Sequence, residues 1–138
     1  MNDASYDKPL PVPTRESKPY WDGLKAHRLV LQRCADCKKV RHYPRPMCDS
    51  CHSMECEWIE ASGKGKVHSW AVNHHAFHPG FKRDTPYVLV TVDLDEGVRM
   101  LARLEENDAS LLSLGLALRI TYTDVSEEFT LPGCRIDA

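Results

Sequence analysis

Along the C-terminal half of the chain, apolar and polar positions alternate in short runs separated by turn residues, the period-two pattern of half-buried strands. Lys66 to Asn73 and the β-branched run Tyr87 to Leu94 read as strands. The turn Asp95-Glu96-Gly97 follows, and beyond it Val98, Met100, Ala102 and Leu104 face one way while Leu101 faces the other, a hairpin signal. Leu116 to Thr123 gives a fourth strand with Leu118, Ile120 and Tyr122 inward. Phe129 to Ile136 gives a fifth, interrupted at Pro132-Gly133. Gly63 and Gly65 bracket a turn ahead of the first strand, and a helical or loop passage falls near Asp108 to Leu114. Five strands at this spacing suggest a small barrel of the OB type, whose closure hides sheet edges.

The N-terminal half carries different patterns. Residues 1–13, with proline at positions 9, 11 and 13, read as a flexible extended tail. Residues 14–28 read as one or two short helices, capped at Thr14 or Ser17, with Tyr20, Trp21 and Leu24 on one side and Gly23 as a break. Residues 29–61 read as a small ribbon with short strands at Leu29 to Arg33, Lys39 to Tyr43 and Glu57 to Glu60. Residues 62–138 form the barrel domain, with a core separate from that of the ribbon. The fold class is mainly β.

Composition narrows the classes. The 138 residues are 42% hydrophobic, enough for one real core, and no apolar run is long enough to span a membrane. The start of the chain is polar and lacks the pattern of a secretion signal, which points to the cytoplasm, where clustered cysteines favour metal over disulfides. A net charge of −2 argues against general electrostatic binding of nucleic acid. The charge is uneven, however. Residues 24–45 carry seven bases (Lys25, Arg28, Arg33, Lys38, Lys39, Arg41 and Arg45) against the single acid Asp36, and residues 93–128 carry nine acids against three bases. The basic stretch is either a solvated ribbon or a local anion site.

The ribbon holds the clearest chemical signal. Cys34-Ala35-Asp36-Cys37 and Cys48-Asp49-Ser50-Cys51 are two knuckles separated by ten residues. Four soft thiolates at this spacing suit a tetrahedral four-sulfur cage for structural Zn²⁺, and they also suit iron. Such a cage leaves no open position for water or substrate. Many knuckles carry glycine after the second cysteine; here Lys38 stands there, which raises the cost of a left-handed backbone. Cys56 and Cys134 read as free thiols.

Two further groups bear weaker signals. His74, His75 and His78 lie ahead of Pro79-Gly80 and read as a second metal site, a source of general base or a polar loop. Phe77, Phe81, Lys82 and Arg83 interleave rings and cations between His75 and Pro86, a pattern for stacking a base beside a phosphate or for a mobile loop. No nucleophile elbow, phosphate-cradling loop or dinucleotide fingerprint is present, and nothing calls for catalysis.

Several stretches taken in order carry a resemblance. They are Tyr20-Trp21-Asp22-Gly23-Leu24, Leu31-Gln32-Arg33 with the first knuckle, Pro44-Arg45-Pro46-Met47 with the second, Trp58, Gly63-Lys64-Gly65-Lys66-Val67, Pro86-Tyr87-Val88-Leu89-Val90 and Leu94-Asp95-Glu96-Gly97-Val98-Arg99. Over about residues 14–125 the chain resembles the family called domain of unknown function thirty-five. The resemblance implies N-terminal helices, a rubredoxin-like zinc ribbon and a C-terminal OB-fold. It also implies a non-catalytic accessory role, acyl-CoA binding or scaffolding of a thiolase-like enzyme or hydratase, with the chemistry done by the other subunit. Separately, an exposed OB edge and the N-terminal helices point to association, in a hetero- or homo-oligomer.

Coenzyme A presents phosphates, an adenine ring and a thin pantetheine arm. Arg28, Arg33, Lys38, Lys39, Arg41, Arg45, Lys82 and Arg83 are candidates for its phosphates, and Trp70, Phe77 and Phe81, with Tyr20 and Trp21, for its apolar path. The competing readings are a single-stranded nucleic-acid-binding OB protein and a metalloenzyme built on the three histidines.

Overall fold

The computed structural model describes residues 6–137. One helix, α1 (Lys18–Lys25), precedes a ribbon of three antiparallel strands, β1 (Val30–Cys34), β2 (Val40–Arg41) and β3 (Cys56–Glu60), in the order β2-β1-β3. The barrel follows, with β4 (Lys64–Asn73), β5 (Tyr87–Leu94), β6 (Arg99–Leu104), β7 (Ala117–Asp124) and β8 (Thr130–Ile136) closed in the order β4-β5-β6-β8-β7. All of its pairings are antiparallel except β6 with β8. This is the five-stranded OB arrangement expected from the alternating pattern.

Of the one or two helices expected in the N-terminal segment, one forms: residues 14–17 make a turn in which Thr14 N donates to Ser17 Oγ (2.9 Å) and Ser17 N to Thr14 Oγ1 (3.2 Å). The segment differs from its expectation in two respects. Gly23 does not break the helix. A Cβ there would stand 2.8 Å from Val30 Cγ2 and 3.1 Å from the Arg28 carbonyl, so the missing side chain lets α1 lie against β1. Of the expected tail, residues 1–5 lie outside the described residues, while Asp7 and Lys8 pair with Arg83 (3.0 Å) and Asp84 (3.1 Å) on the barrel loop.

Two glycine assignments in the barrel also change. Gly63 turns the chain at φ 77°, but Gly65 lies inside β4, paired with Leu94 on one side and Leu118 on the other. A Cβ at Gly65 would sit 2.6 Å from the Asp93 carbonyl, so the position is one of close strand approach. Pro132-Gly133 does not interrupt β8: Pro132 pairs with Tyr122 and Gly133 with Thr121. The passage before β7 is a single 3-10 turn, Ala109–Leu111, begun by Asp108, whose carboxylate accepts from Ser110 N at 3.0 Å.

Ribbon and barrel do not have separate cores. Tyr20, Leu24, Leu29 and Leu31 join Val67, Val90, Val92, Leu104, Leu118 and Ile120 in one continuous buried cluster. Alternating strands leave an apolar inner face at the barrel's ribbon end, and α1 and β1 cover it, because burying apolar area is the main favourable contribution to folding.

Candidate functional site

The two knuckles fold alike. In the first, Lys38 N donates to Cys34 O (3.1 Å) and Cys34 N to Lys39 O (2.9 Å); in the second, His52 N donates to Cys48 O (3.0 Å) and Cys48 N to Ser53 O (2.9 Å). Each turn ends in a left-handed residue, Lys38 at φ 67° and His52 at φ 64°. The position expected to prefer glycine is therefore strained. Lys38→Gly should raise stability by about 1 kcal/mol, less a few tenths for its exposed ion pair with Glu57. Chemical denaturation of both proteins in zinc checks this.

The knuckles bring Cys34, Cys37, Cys48 and Cys51 together, with all four sulfurs within 4.8 Å of one another. Cys34 Sγ lies 3.5 Å from Cys51 Sγ, and Cys37 Sγ lies 3.6 Å from Cys48 Sγ. A Zn²⁺ held at about 2.3 Å by four thiolates has tetrahedral edges of about 3.8 Å, so the set fits the ion. Backbone amides prepare the sulfurs. Donation from Cys37 N (3.4 Å) leads in lowering the Cys34 thiol to about 6, and the amides of Cys51 and Ser50 lower Cys48. Cys51 is pushed up to about 12; the Ser53 amide favours its thiolate, but Cys34, burial, Cys37 and Cys48 together outweigh it. Four sulfurs this close do not all ionise without a cation among them, and a divalent ion supplies that charge.

Side chains around the cage hold the knuckles in place. Lys39 reaches from the first knuckle to Asp49 (2.9 Å) and Ser50 (3.1 Å) of the second, and Ser53 donates to Asp36 in return. Buried Arg41 donates to Gln32 Oε1 (2.6 Å) and to the Arg45 carbonyl (3.0 Å), pinning the loop that leads into the second knuckle. Beside it, burial, reinforced by Arg45, lowers the His42 imidazole from 6.5 to about 4.

The lowered imidazole makes stability depend on pH. The unfolded chain takes up a proton that the folded chain refuses between pH 6.5 and about 4. Stability present above that window therefore falls across it, by about 3 kcal/mol. His42→Phe should flatten this slope, as measured by denaturation above and within the window.

The other candidates are distributed as follows. Four ribbon cations sit against acids: Arg28 with Glu60 (3.5 Å), Arg33 and Lys38 with Glu57, and Lys39 with Asp49. Trp70 stands half-exposed on β4 and Phe77 is exposed beyond that strand's end. Phe81 stacks on Tyr87 at 5.6 Å, Arg103 lies 5.0 Å over the same Tyr87, and Asp84 bridges Lys8 and Arg103 (2.9 Å). The loop carrying Lys82 and Arg83 is thereby tied to the barrel.

The three histidines do not converge. His75 packs on Phe77 and His78 Nδ1 accepts from Gly80 N at 3.0 Å; among the described residues, the four cysteines are the only cluster of metal-ligating side chains. His27, which by its place in the chain belongs with the basic stretch and its anion site, instead pairs with Asp124 (3.0 Å) and stacks on Tyr122 (5.5 Å) across the joint between helix and barrel. No local pattern in the sequence brings it to Asp124, which lies far along the chain.

No helix among the described residues is long and apolar enough to cross a membrane. Two family models match, "ChsH2, rubredoxin-like zinc ribbon domain" over residues 21–55 and "ChsH2, C-terminal OB-fold domain" over residues 58–123. A probable enoyl-CoA hydratase alpha subunit of Thermomonospora curvata is 37% identical over 125 residues, which are 91% of this chain but 39% of that one. The chain thus spans well under half the length of that relative. A DUF35 domain-containing scaffold protein of Methanocaldococcus jannaschii is 30% identical over 110 residues, covering 78% of this chain and 77% of its own length. Among solved structures, the chain titled "Ltp2-ChsH2(DUF35) aldolase" superposes with a TM-score of 0.82 at 36% identity, covering 92% of this chain and 98% of that one. With its four-cysteine knuckles joined to a five-stranded barrel and these relatives, the chain belongs to the DUF35 family of ChsH2-type zinc-ribbon and OB-fold proteins.

Proposed function

We propose that this chain is a non-catalytic accessory subunit that binds an acyl-CoA and holds a thiolase-like or hydratase-like enzyme. One observation carries the reading: the four sulfurs fill every position of a tetrahedral ion, so the metal centre shapes the chain and offers no place for a reacting group. The relatives named as a scaffold protein and as a hydratase subunit support it. The ion-binding thiols suit a reducing compartment, the cytoplasm.

In this reading the phosphates of coenzyme A meet the ribbon cations Arg28, Arg33, Lys38, Lys39 and Arg45, with Arg41 behind them, and Lys82 and Arg83 on the barrel loop. Trp70, Phe77 and Phe81 serve the apolar arm. A phosphate at Arg33 and Lys38 competes with Glu57, whose carboxyl those two cations hold below its ordinary range. The same local pairing leaves little unopposed positive charge for a polynucleotide.

Isothermal titration with short- and long-chain acyl-CoAs, of the chain alone and mixed with a thiolase-like or hydratase-like enzyme, tests both parts. Heat on mixing chain and enzyme supports the scaffold, and heat with acyl-CoA supports the ligand site. Silence in every arm removes the reading.

A further inference from the structure

Strand β4 runs past the point at which the barrel closes. Its pairing with β7 ends at Lys66 and Ala117, and Val67 makes the last backbone bonds on that side, donating to the Leu116 carbonyl (2.9 Å) and accepting from Gly115 N (2.9 Å). A bulge between Val67 and Ser69 then turns β4 away. Residues 69–73 pair only with β5, and among the described residues no backbone hydrogen bond reaches their other edge. From residue 68 to residue 72 every position is exposed, where the earlier part of the strand alternates. The apolar inner face continues outward along this part: Trp70 pairs with Val90 and Val72 with Val88, both of which are buried, yet Trp70 and Val72 are 37% and 39% exposed.

An open edge is ordinarily blunted by lysine, proline, an inward charge or a bulge. Ser69-Trp70-Ala71-Val72-Asn73 has no lysine, proline or charge, and the bulge lies at its start, so the five residues beyond it stay open. We propose that this edge pairs with the same edge of a second copy of the chain, antiparallel about Ala71, to give a two-fold dimer. The residue pattern selects that occupant. Two-fold pairing about Ala71 sets Trp70 against Val72 of the second copy and Ser69 against Asn73, and each pair occurs twice. Four apolar side chains then share one face, and Ser and Asn, which hydrogen-bond well, share the other. No lysine, arginine or carboxylate lies on the open edge: Lys66 is on the side already paired with β7, and just outside the five residues His68 falls opposite His74 of the second copy. A self-complementary patch closes as a dimer instead of growing into a filament. This proposal does not rest on acyl-CoA binding.

The test is sedimentation of the full zinc-loaded chain from micromolar to millimolar concentration, beside Ala71→Lys and Ala71→Glu. Position 71 is exposed, so zinc content and far-UV spectrum should stay those of the wild type. The wild type is expected to dimerise with rising concentration. Either charged variant puts like charges face to face on the axis and should associate at least tenfold more weakly, whereas an equimolar mixture of the two should restore the dimer. Three results overturn the proposal: a wild type monomeric throughout, as expected if the edge serves another protein; an Ala71→Lys that still dimerises; or a mixture no stronger than its components.

Discussion

Cys34→Ser is expected to lose its zinc and to melt roughly 15–20 °C lower, the equivalent of about 5 kcal/mol at this chain length. The size of the effect follows from where the binding energy goes. The cage forms only when both knuckles are folded, so the free energy of thiolate coordination is also free energy of folding. Cys34 is fully buried, receives the Cys37 amide and lies 3.5 Å from Cys51, so serine leaves that corner of the cage without a soft ligand. The unfolding should be a single transition. Leu29 and Leu31, which lead directly into the first knuckle, belong to the same buried cluster as the barrel strands, so disorder in the ribbon uncovers the barrel. Metal analysis and a thermal scan of wild type, wild type with chelator, and variant check this. Full zinc occupancy with unchanged melting would contradict the four-cysteine site. Two resolved transitions would contradict the shared core.

Leu24→Ala is expected to cost about 2–5 kcal/mol, the range for truncating a fully buried leucine. Leu24 has no exposed surface, lies on α1 and belongs to the one buried cluster that also holds Leu29 and Leu31 of the ribbon and the barrel strands' inner residues. Its deletion leaves a cavity that the neighbours do not readily fill, because Gly23 already brings the helix as close to Val30 as atoms allow. The variant should still bind one equivalent of zinc, since Leu24 belongs to the apolar cluster and not to the four-cysteine cage. That separates it from Cys34→Ser, in which metal and stability fall together. A loss well below 1 kcal/mol in a urea titration would show that α1 is not part of the core.

Much of this architecture is legible in the sequence. The pattern marks Tyr87–Leu94 as a strand with the bounds it has, and Asp95-Glu96-Gly97 forms the turn it predicts, with Gly97 at φ 89° and its amide donating to the Leu94 carbonyl at 2.9 Å. Both signals are local: alternation records which face of a strand is buried, and a turn residue records its own backbone angle. The metal site was legible for a related reason. Ligand spacing within a knuckle is fixed by the turn that presents both sulfurs, and that turn is written in consecutive residues.

Where the structure departs from the pattern, the cause is the opposite. Gly23 and Gly65 read as punctuation, yet each marks a place where another segment comes too close for a side chain. Pro132 looked like an interruption, yet β8 runs through it as a continuous strand. The supposed independence of the two cores failed because no local pattern records which apolar face meets which.

The sequence by itself determined the strands, the turns and the four-sulfur cage, because each depends on residues close together in the chain. Only the tertiary structure decided that ribbon and barrel share one core, that Glu57, Glu60 and Asp49 take up the ribbon cations, and that β4 leaves its partner at Val67 with an open edge. Those outcomes depend on how far-separated segments compete to bury apolar area and to satisfy charge, and that competition is settled in space and not along the chain.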